Sequence, residues 1–194
     1  KNEGAKITAQ LLETTDAMEV VNEILIPALD SAGKLFEQGK IFLPQLIQTA
    51  SVAQAAFEVI KTTLIERNAA PVSRGEIVLA TVKGDIHDIG KNIVRVLLEN
   101  YGYTVLDLGR DVPCQLVADT AKEHGVKLVG LSALMTTTLG AMEETIQLVK
   151  QSCPDCKIVV GGAVLTADYA EKIGADFYAK DAMETVAVAK EVVG

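Results

Sequence analysis

The sequence predicts an α/β protein in which a helical bundle precedes a parallel sheet, and three observations carry that reading. Up to about residue 67, apolar residues recur at helical spacing with almost no strand signal. From Glu76 onward, short β-branched runs alternate strictly with amphipathic segments. Between them, Asn68-Ala-Ala-Pro-Val-Ser-Arg-Gly75 breaks both periodicities and reads as a linker. The expected organisation is a helical domain over 1–70 and an α/β domain over 71–194.

In the helical part, Val20, Val21, Ile24, Leu25, Leu29, Ala32, Leu35 and Phe36 mark one apolar stripe. Gly33 and Pro27 weaken it, and Pro27 is expected to mark a break or kink. Glu37–Phe42 reads as an inter-helix turn with Gly39 as its C-cap. Pro44 suits the first turn of the next helix, whose stripe runs from Leu43 and Leu46 to Ile60 and Leu64. Residues 5–67 thus read as a bundle of about four helices. In the second part the predicted strands are 76–82, 103–109, 127–134, 157–162 and 177–180. The predicted helices are 89–101, 113–125, 138–151, 166–174 and 181–192. Roughly 120 residues in this alternation make a flavodoxin-like (Rossmann-type) five-stranded parallel sheet of order 2-1-3-4-5, with the ligand at the β1/β3 switch point. The loops after strands 1 and 3 should therefore face each other.

Composition narrows the function. The chain is 49% apolar and 4% aromatic, with no Trp, so its core is built from Ala, Val, Leu and Ile. Its formal charge is −8 and its pI about 4.8, with no basic patch, which argues against nucleic acid as a partner. No uninterrupted apolar run reaches spanning length and no signal peptide is visible, which argues against a membrane. Three cysteines form no disulfide framework, as expected in the cytoplasm. The first residue is Lys1, which fits a fragment of a longer protein or a trimmed start.

The densest chemistry is Gly84-Asp85-Ile86-His87-Asp88-Ile89-Gly90-Lys91. It lies after the first strand, where such folds bind ligands. Asp85 can orient the His87 ring and raise its basicity. The stretch fails as a phosphate loop: five residues, not four, separate Gly84 from Gly90, and Asn92 stands where magnesium needs Ser or Thr. Thr136-Thr-Thr138 reads as an N-cap cluster and equally as hydroxyls aimed across the crevice at Asp85 and His87. Gly161-Gly162 ends strand 4, for a tight turn or the close approach of a bulky ligand. Cys153-Pro-Asp-Cys156 follows a helix and precedes a strand, the wrong setting for a redox pair, and has no second pair for zinc. Cys114 reads as structural, and His124 as a helix C-terminal residue favoured by the dipole.

The Asp-x-His-x-x-Gly pattern at 85–90, the Leu131-Ser-Ala-Leu-Met-Thr136 run and Gly161-Gly162 occur in the order and spacing of cobalamin (vitamin B12)-binding domains, and the chain resembles that family. Leu35–Gln45 resembles the cap module of cobalamin-dependent methionine synthase. The resemblance implies a cobalt-bearing cofactor, methylcobalamin in the working state, with His87 as lower axial ligand in place of the cofactor's own benzimidazole. Asp85 would hydrogen-bond the other ring nitrogen and Thr138 would complete a triad. His87 would alternate between ligand and free imidazole, with Asp85 and Thr138 taking up the accompanying proton. Gly84, Ile86, Asp88 and Gly90 would flank the metal ligand. Ser132, Leu134, Thr136, Gly161, Gly162 and Ala182 would line a channel for the displaced nucleotide tail. Phe36 and Leu43 would shield the methyl face, and Asn22 falls where methionine synthase can carry a cofactor-contacting Glu. The implied function is the methyl-carrying module of a methyltransferase of the methionine synthase type, not catalytically complete alone. Its partners would be folate and homocysteine modules and a reductive reactivation partner. The alternative is a free-standing corrinoid protein serving methanol, methylamine or methoxy-aromatic donors. A cobalamin sensor is a third reading, disfavoured because no output domain is visible.

Overall fold

The computed structural model describes residues 2–66 and 73–194, apart from a few helical side chains, Asn22 and Leu64 among them. The predicted linker over 68–75 and the side-chain role expected of Asn22 therefore lie, wholly or largely, outside the described residues. Two compact units divide the chain: Lys1–Ser73 with Glu99–Gly102, and Arg74–Leu98 with Tyr103–Gly194.

In the first unit, helix α1 spans Asn2–Leu11 and packs on the long helix α4, Leu43–Glu66. Gly4 allows that approach, since a Cβ there would stand 2.6 Å from Cγ1 of Val52. Short α2 (Ala17–Glu19) runs through a π-helical turn, Val20–Leu25, into α3, Ile26–Glu37. Of the break or kink expected at Pro27, the break is absent: the helical run continues through it. The π turn bonds the Ile26 N–H to the carbonyl of Val21, five residues back, and Pro27 then falls in the first turn of α3, where its missing N–H leaves no vacancy in the ladder. Leu12, Ala17, Val20, Val21 and Ile60 form the core cluster of this unit. Helix α3 ends as predicted at Gly39, whose φ is +67°. The Gly39 N–H bonds the carbonyl of Phe36 and the Lys40 N–H that of Leu35, the paired bonds of a Schellman stop. Gln45 reaches back to the Phe42 N–H at 3.0 Å and caps the start of α4.

The second unit alternates as expected: β1 Glu76–Thr81, α5 Ile89–Asn100, β2 Thr104–Asp107, α6 Cys114–His124 and β3 Leu128–Ser132, then α7 Leu139–Ser152, β4 Lys157–Gly161, α8 Ala167–Lys172, β5 Phe177–Tyr178 and α9 Ala182–Val192. All pairings are parallel and the order is β2-β1-β3-β4-β5, the predicted switch at β1/β3 included. Strands β2, β3 and β5 are each two or three residues shorter than predicted. Strand β1 is buried from Ile77 onward, as a central parallel strand covered on both faces must be. The largest core cluster joins Val78, Ala80, Val129, Leu131, Ile158 and Val160 of the sheet to Val117, Ala121, Met142, Ile146 and Val149 of α6 and α7. Register places Thr81 beside Ser132 and Ser132 beside Gly161, so the loops after β1, β3 and β4 leave the sheet side by side.

Candidate functional site

The loop after β1 turns at once. The Asp85 N–H bonds back to the carbonyl of Val82 at 3.1 Å, and Gly84, with φ +83°, makes the reversal possible. The turn sends the Asp85 side chain inward, to 0% exposure, and leaves the His87 side chain 46% exposed. Every hydrogen-bond partner of the Asp85 carboxylate is a donor. Oδ1 accepts the His87 N–H at 3.0 Å and lies 2.8 Å from Nδ1 of the His87 ring. Oδ2 accepts the N–H groups of Leu134 at 2.7 Å and Met135 at 3.2 Å, and lies 3.1 Å from the Thr138 hydroxyl. The Thr138 hydroxyl also lies 2.8 Å from the carbonyl of Met135, so its single proton is shared between two acceptors. The loops after β1 and β3 are thus joined, as the strand order requires.

Burial by itself pushes the Asp85 carboxyl up, but the hydrogen bonds from Leu134, His87 and Thr138 outweigh it and hold the pKa down to about 2. Asp85 is therefore held in its ionised form near neutrality, as an acceptor for the donors around it. A carboxylate that holds Nδ1–H leaves Nε2, on the exposed edge of the ring, as the donor to a metal.

The structure brings Asp85, His87 and Thr138 into one contact network and places Gly84, Ile86, Asp88 and Gly90 around it. Thr136 is exposed and Ser132 half-buried on the adjoining β3 loop. Leu134 is 41% exposed, Ile86 60% and Ile89 78%, so the imidazole stands among apolar side chains open to solvent. Gly162 has φ +138°, and a Cβ there would stand 1.8 Å from the carbonyl oxygen of Ala133. That glycine is demanded by the neighbouring backbone, whatever approaches from outside. Ala182 opens α9 behind Asp181, whose carboxylate caps the N–H groups of Met183 and Glu184. Phe36 and Leu43 belong to the helical unit, at the turn between α3 and α4, where Leu35, Phe42, Leu43 and Ile47 are all exposed apolar residues.

Three side chains outside this network have other tasks. Lys91 is buried and pairs with Asp107, which also accepts the Gly109 N–H, so it ties α5 to the end of β2 and is not a phosphate-binding lysine. His124 closes α6 and lies 3.0 Å from Glu76. Cys156 is buried, and desolvation, then the neighbouring Cys153 and Asp176, push its thiol up to about 12. Such a thiol is neither a nucleophile nor a ready zinc ligand near neutrality. In the native protein at pH 8, iodoacetamide should leave Cys114 and Cys156 unmodified and label Cys153 slowly, with all three reacting in urea. Rapid native labelling of Cys156, read by mass spectrometry, would contradict its placement.

The sequence reading missed Asp111 and Thr81. The Gly84 N–H donates to Oδ1 of Asp111 at 2.7 Å, and the Thr81 hydroxyl donates to the His87 carbonyl at 3.3 Å. The one available signal was Gly109-Arg-Asp-Val-Pro113, a turn sequence with a residue type that tolerates positive φ.

The site thus defines a class: an α/β switch point presenting one carboxylate-braced imidazole. Among the described residues no cluster of three ligating side chains exists. The exposed Ile86, Ile89 and Leu134 lie on the loops that carry His87 and that hold Asp85. Comparison with known proteins agrees. The B12 binding domain family matches residues 75–187, and a second B12 binding domain model matches residues 2–61. Dimethylamine corrinoid protein 1 of Methanosarcina acetivorans is 43% identical over 92% of this chain and 84% of its own length. Trimethylamine corrinoid protein 1 of Methanosarcina mazei is 38% identical over 96% and 88%. A crystal structure of a cobalamin-binding protein from Desulfitobacterium hafniense matches with TM-score 0.72 and 33% identity, covering 100% of this chain and 98% of that one. The methanol:cobalamin methyltransferase complex of Methanosarcina barkeri matches with TM-score 0.80 and 29% identity, covering 93% and 69%.

The chain belongs to the B12 binding domain family, and its cofactor is cobalamin. The relatives named here are corrinoid proteins, so the expectation of a methionine synthase portion yields to its alternative. Among the described residues no helix is long and apolar enough to cross a membrane.

Proposed function

We propose that this protein is a free-standing methyl carrier that works with separate methyltransferases, in the cytoplasm, with a methylated amine as the methyl source. The observation that carries the reading is the Asp85-braced imidazole of His87 at the switch point. The donor class is supported by the names of the relatives, which are dimethylamine and trimethylamine corrinoid proteins. When bound, cobalamin supplies the metal that accepts a methyl group and passes it on.

The chain's own residues do the rest. Asp85 holds the Nδ1–H and fixes the tautomer, which would leave Nε2 to hold the cobalt. Thr138 and the N–H groups of Leu134 and Met135 hold the carboxylate in turn, so ring orientation is set from inside the fold. The exposed Ile86 and Ile89, with Leu134 on the facing loop, would offer apolar surface to the cofactor. Ser132, Leu134 and Thr136 of the β3 end and loop, Gly161 and Gly162 at the end of β4, and Ala182 at the start of α9 are assigned to the nucleotide tail. Phe36 and Leu43 are assigned to shielding the methyl-bearing face, which rests on the exposed apolar turn of the helical unit and its resemblance to cap modules.

To test the donor, the reduced, cobalamin-loaded protein would be mixed with dimethylamine, trimethylamine or methanol, each with its matching methyltransferase, and with methyltetrahydrofolate and a folate module. Methyl transfer is read from the visible spectrum. Transfer from a methylamine pair is expected; transfer from the folate module alone would restore the methionine synthase reading.

Gly90 offers a separate check. It has no positive φ, and a Cβ there meets nothing within 4 Å of the protein. Gly90→Ala should leave the apoprotein's stability within about 0.5 kcal/mol of wild type. If the corrin packs against this first turn of α5, the same variant should bind cobalamin roughly tenfold more weakly, a loss of about 1.4 kcal/mol. Unchanged affinity by titration calorimetry would remove Gly90 from the binding surface.

A further inference from the structure

We propose that Asp111 is a positioning residue for His87: it clamps the backbone on either side of the 84–85 peptide from the β2–α6 connection and so fixes the loop that carries the imidazole. The loop needs such a clamp. Lys83, Gly84, Ile86 and His87 are all exposed, and in this stretch only the Asp85 side chain is buried, so the backbone on either side of it is held by hydrogen bonds. Asp111 holds it twice. Its carboxylate Oδ1 accepts the Gly84 N–H at 2.7 Å, and its own N–H donates to the Asp85 carbonyl at 2.9 Å. The two bonds run in opposite directions to adjacent residues, so the loop can neither slide along the connection nor rotate away from it.

The backbone of Asp111 is arranged for this. Among the described residues it alone, apart from glycines, has a positive φ, +53°. That conformation is costly for most side chains and least so for Asp and Asn. Residues kept in such conformations by their surroundings concentrate at functional sites. The surroundings here are firm. Val112 forms a parallel bridge with Val82, and its N–H bonds the carbonyl of Thr81 at 3.1 Å. Thr81 is itself fully buried and sends its hydroxyl to the His87 carbonyl at 3.3 Å. The chain therefore runs from the sheet, through Val112 and Asp111, to Gly84 and Asp85, and from Thr81 to His87. Asp85 sets the ring's orientation through its side chain; Asp111 sets where the backbone beneath that side chain lies.

The proposal rests on the reading of His87 as axial donor, and its test separates the two. Three variants divide the roles of Asp111. Asp111→Asn keeps an acceptor and the tolerance for positive φ. Asp111→Gly keeps the turn and removes the acceptor. Asp111→Ala removes both. Amide hydrogen exchange of Gly84 is followed in the apoprotein. In cobalamin-loaded protein reduced to cobalt(II), the ratio of histidine-ligated to unligated cofactor is read by EPR at pH 7. We expect Gly84 to exchange about tenfold faster in the Gly variant, and the ligated ratio to fall roughly three- to tenfold, as loss of one charge-assisted hydrogen bond implies. The Asn variant should restore both readings. The Gly variant, which accepts the turn's backbone freely, keeps the test valid if the Ala variant does not fold. A Gly variant with wild-type exchange, or with faster exchange and an unchanged ligated ratio, overturns the proposal. A wild type with no histidine ligation overturns the cofactor reading, and the proposal with it.

Discussion

Gly162→Ala is expected to lose more than about 4 kcal/mol of stability, and so most of the native population, since domains of this kind are held by roughly 5–15 kcal/mol. Two costs combine. The residue would keep φ +138° with a side chain, a strain of about 1–3 kcal/mol. Its Cβ would also stand 1.8 Å from the carbonyl oxygen of Ala133. That oxygen cannot withdraw cheaply, because Ala133 itself donates its N–H to Gly161 at 3.2 Å and continues the β3–β4 pairing. Gly140→Ala is the control: it lies in α7, has no positive φ, and its Cβ would meet nothing within 4 Å. It should be neutral or stabilising by up to about 1 kcal/mol. Urea titration of both apoproteins makes the comparison. A Gly162→Ala protein as stable as the control would mean that the loop after β4 does not run against Ala133.

Asp85→Ala and Asp85→Asn are expected to be damaging before any cofactor is added. The alanine variant leaves the part-buried N–H groups of Leu134 and Met135 without their acceptor, a loss of about 2–4 kcal/mol. Asparagine is no conservative replacement. All the hydrogen bonds to Asp85 Oδ1 and Oδ2 come from donors, so the amide NH2 would face donors on whichever side it points. Thr138→Val, which removes one hydroxyl, should cost only about 1 kcal/mol. The acid dependence follows from the depressed pKa. The folded value, about 2, lies below the ordinary 3.8, so ionised Asp85 stabilises the fold above about pH 4. That contribution fades as pH falls from there toward 2. Wild type should therefore lose stability across this window more steeply than Asp85→Ala. Parallel acid titrations of the two would contradict the buried, donor-surrounded carboxylate.

Much of this architecture was legible because it follows from pattern. Alternating β-branched runs and amphipathic helices dictated a parallel sheet, and the flavodoxin-like order then forced the loops at 84–90 and 132–138 together. That these loops meet was thus readable from strand order; that Thr138 in particular reaches Asp85, 53 residues away in the chain, was implied only by the family resemblance. What escaped was set by backbone geometry or by single tertiary bonds. Pro27 looked like a helix break because the rule assumes bonds four residues back, and the π turn before it uses five. The glycine pair after β4 was compatible with a turn or a ligand, and only the position of the Ala133 carbonyl shows that Gly162 answers to the backbone. Asp111 carries no periodicity and only the weak signal of a turn sequence; its importance rests on two hydrogen bonds to residues 84 and 85. The low pKa of Asp85 was equally invisible, because the Leu134 and Met135 N–H groups that produce it exist at every residue and matter only when aimed.

The central claim is that His87 supplies the axial nitrogen to cobalt, and EPR of the cobalt(II) form tests it most directly. Protein grown on histidine labelled with nitrogen-15 is loaded with cobalamin, whose benzimidazole stays nitrogen-14, and reduced by one electron. If Nε2 of His87 is on the metal, the nitrogen splitting of the unlabelled protein, a triplet, collapses to a doublet on labelling, and His87→Ala abolishes it. A triplet that persists in the labelled protein would place the cofactor's own base on cobalt and contradict the account.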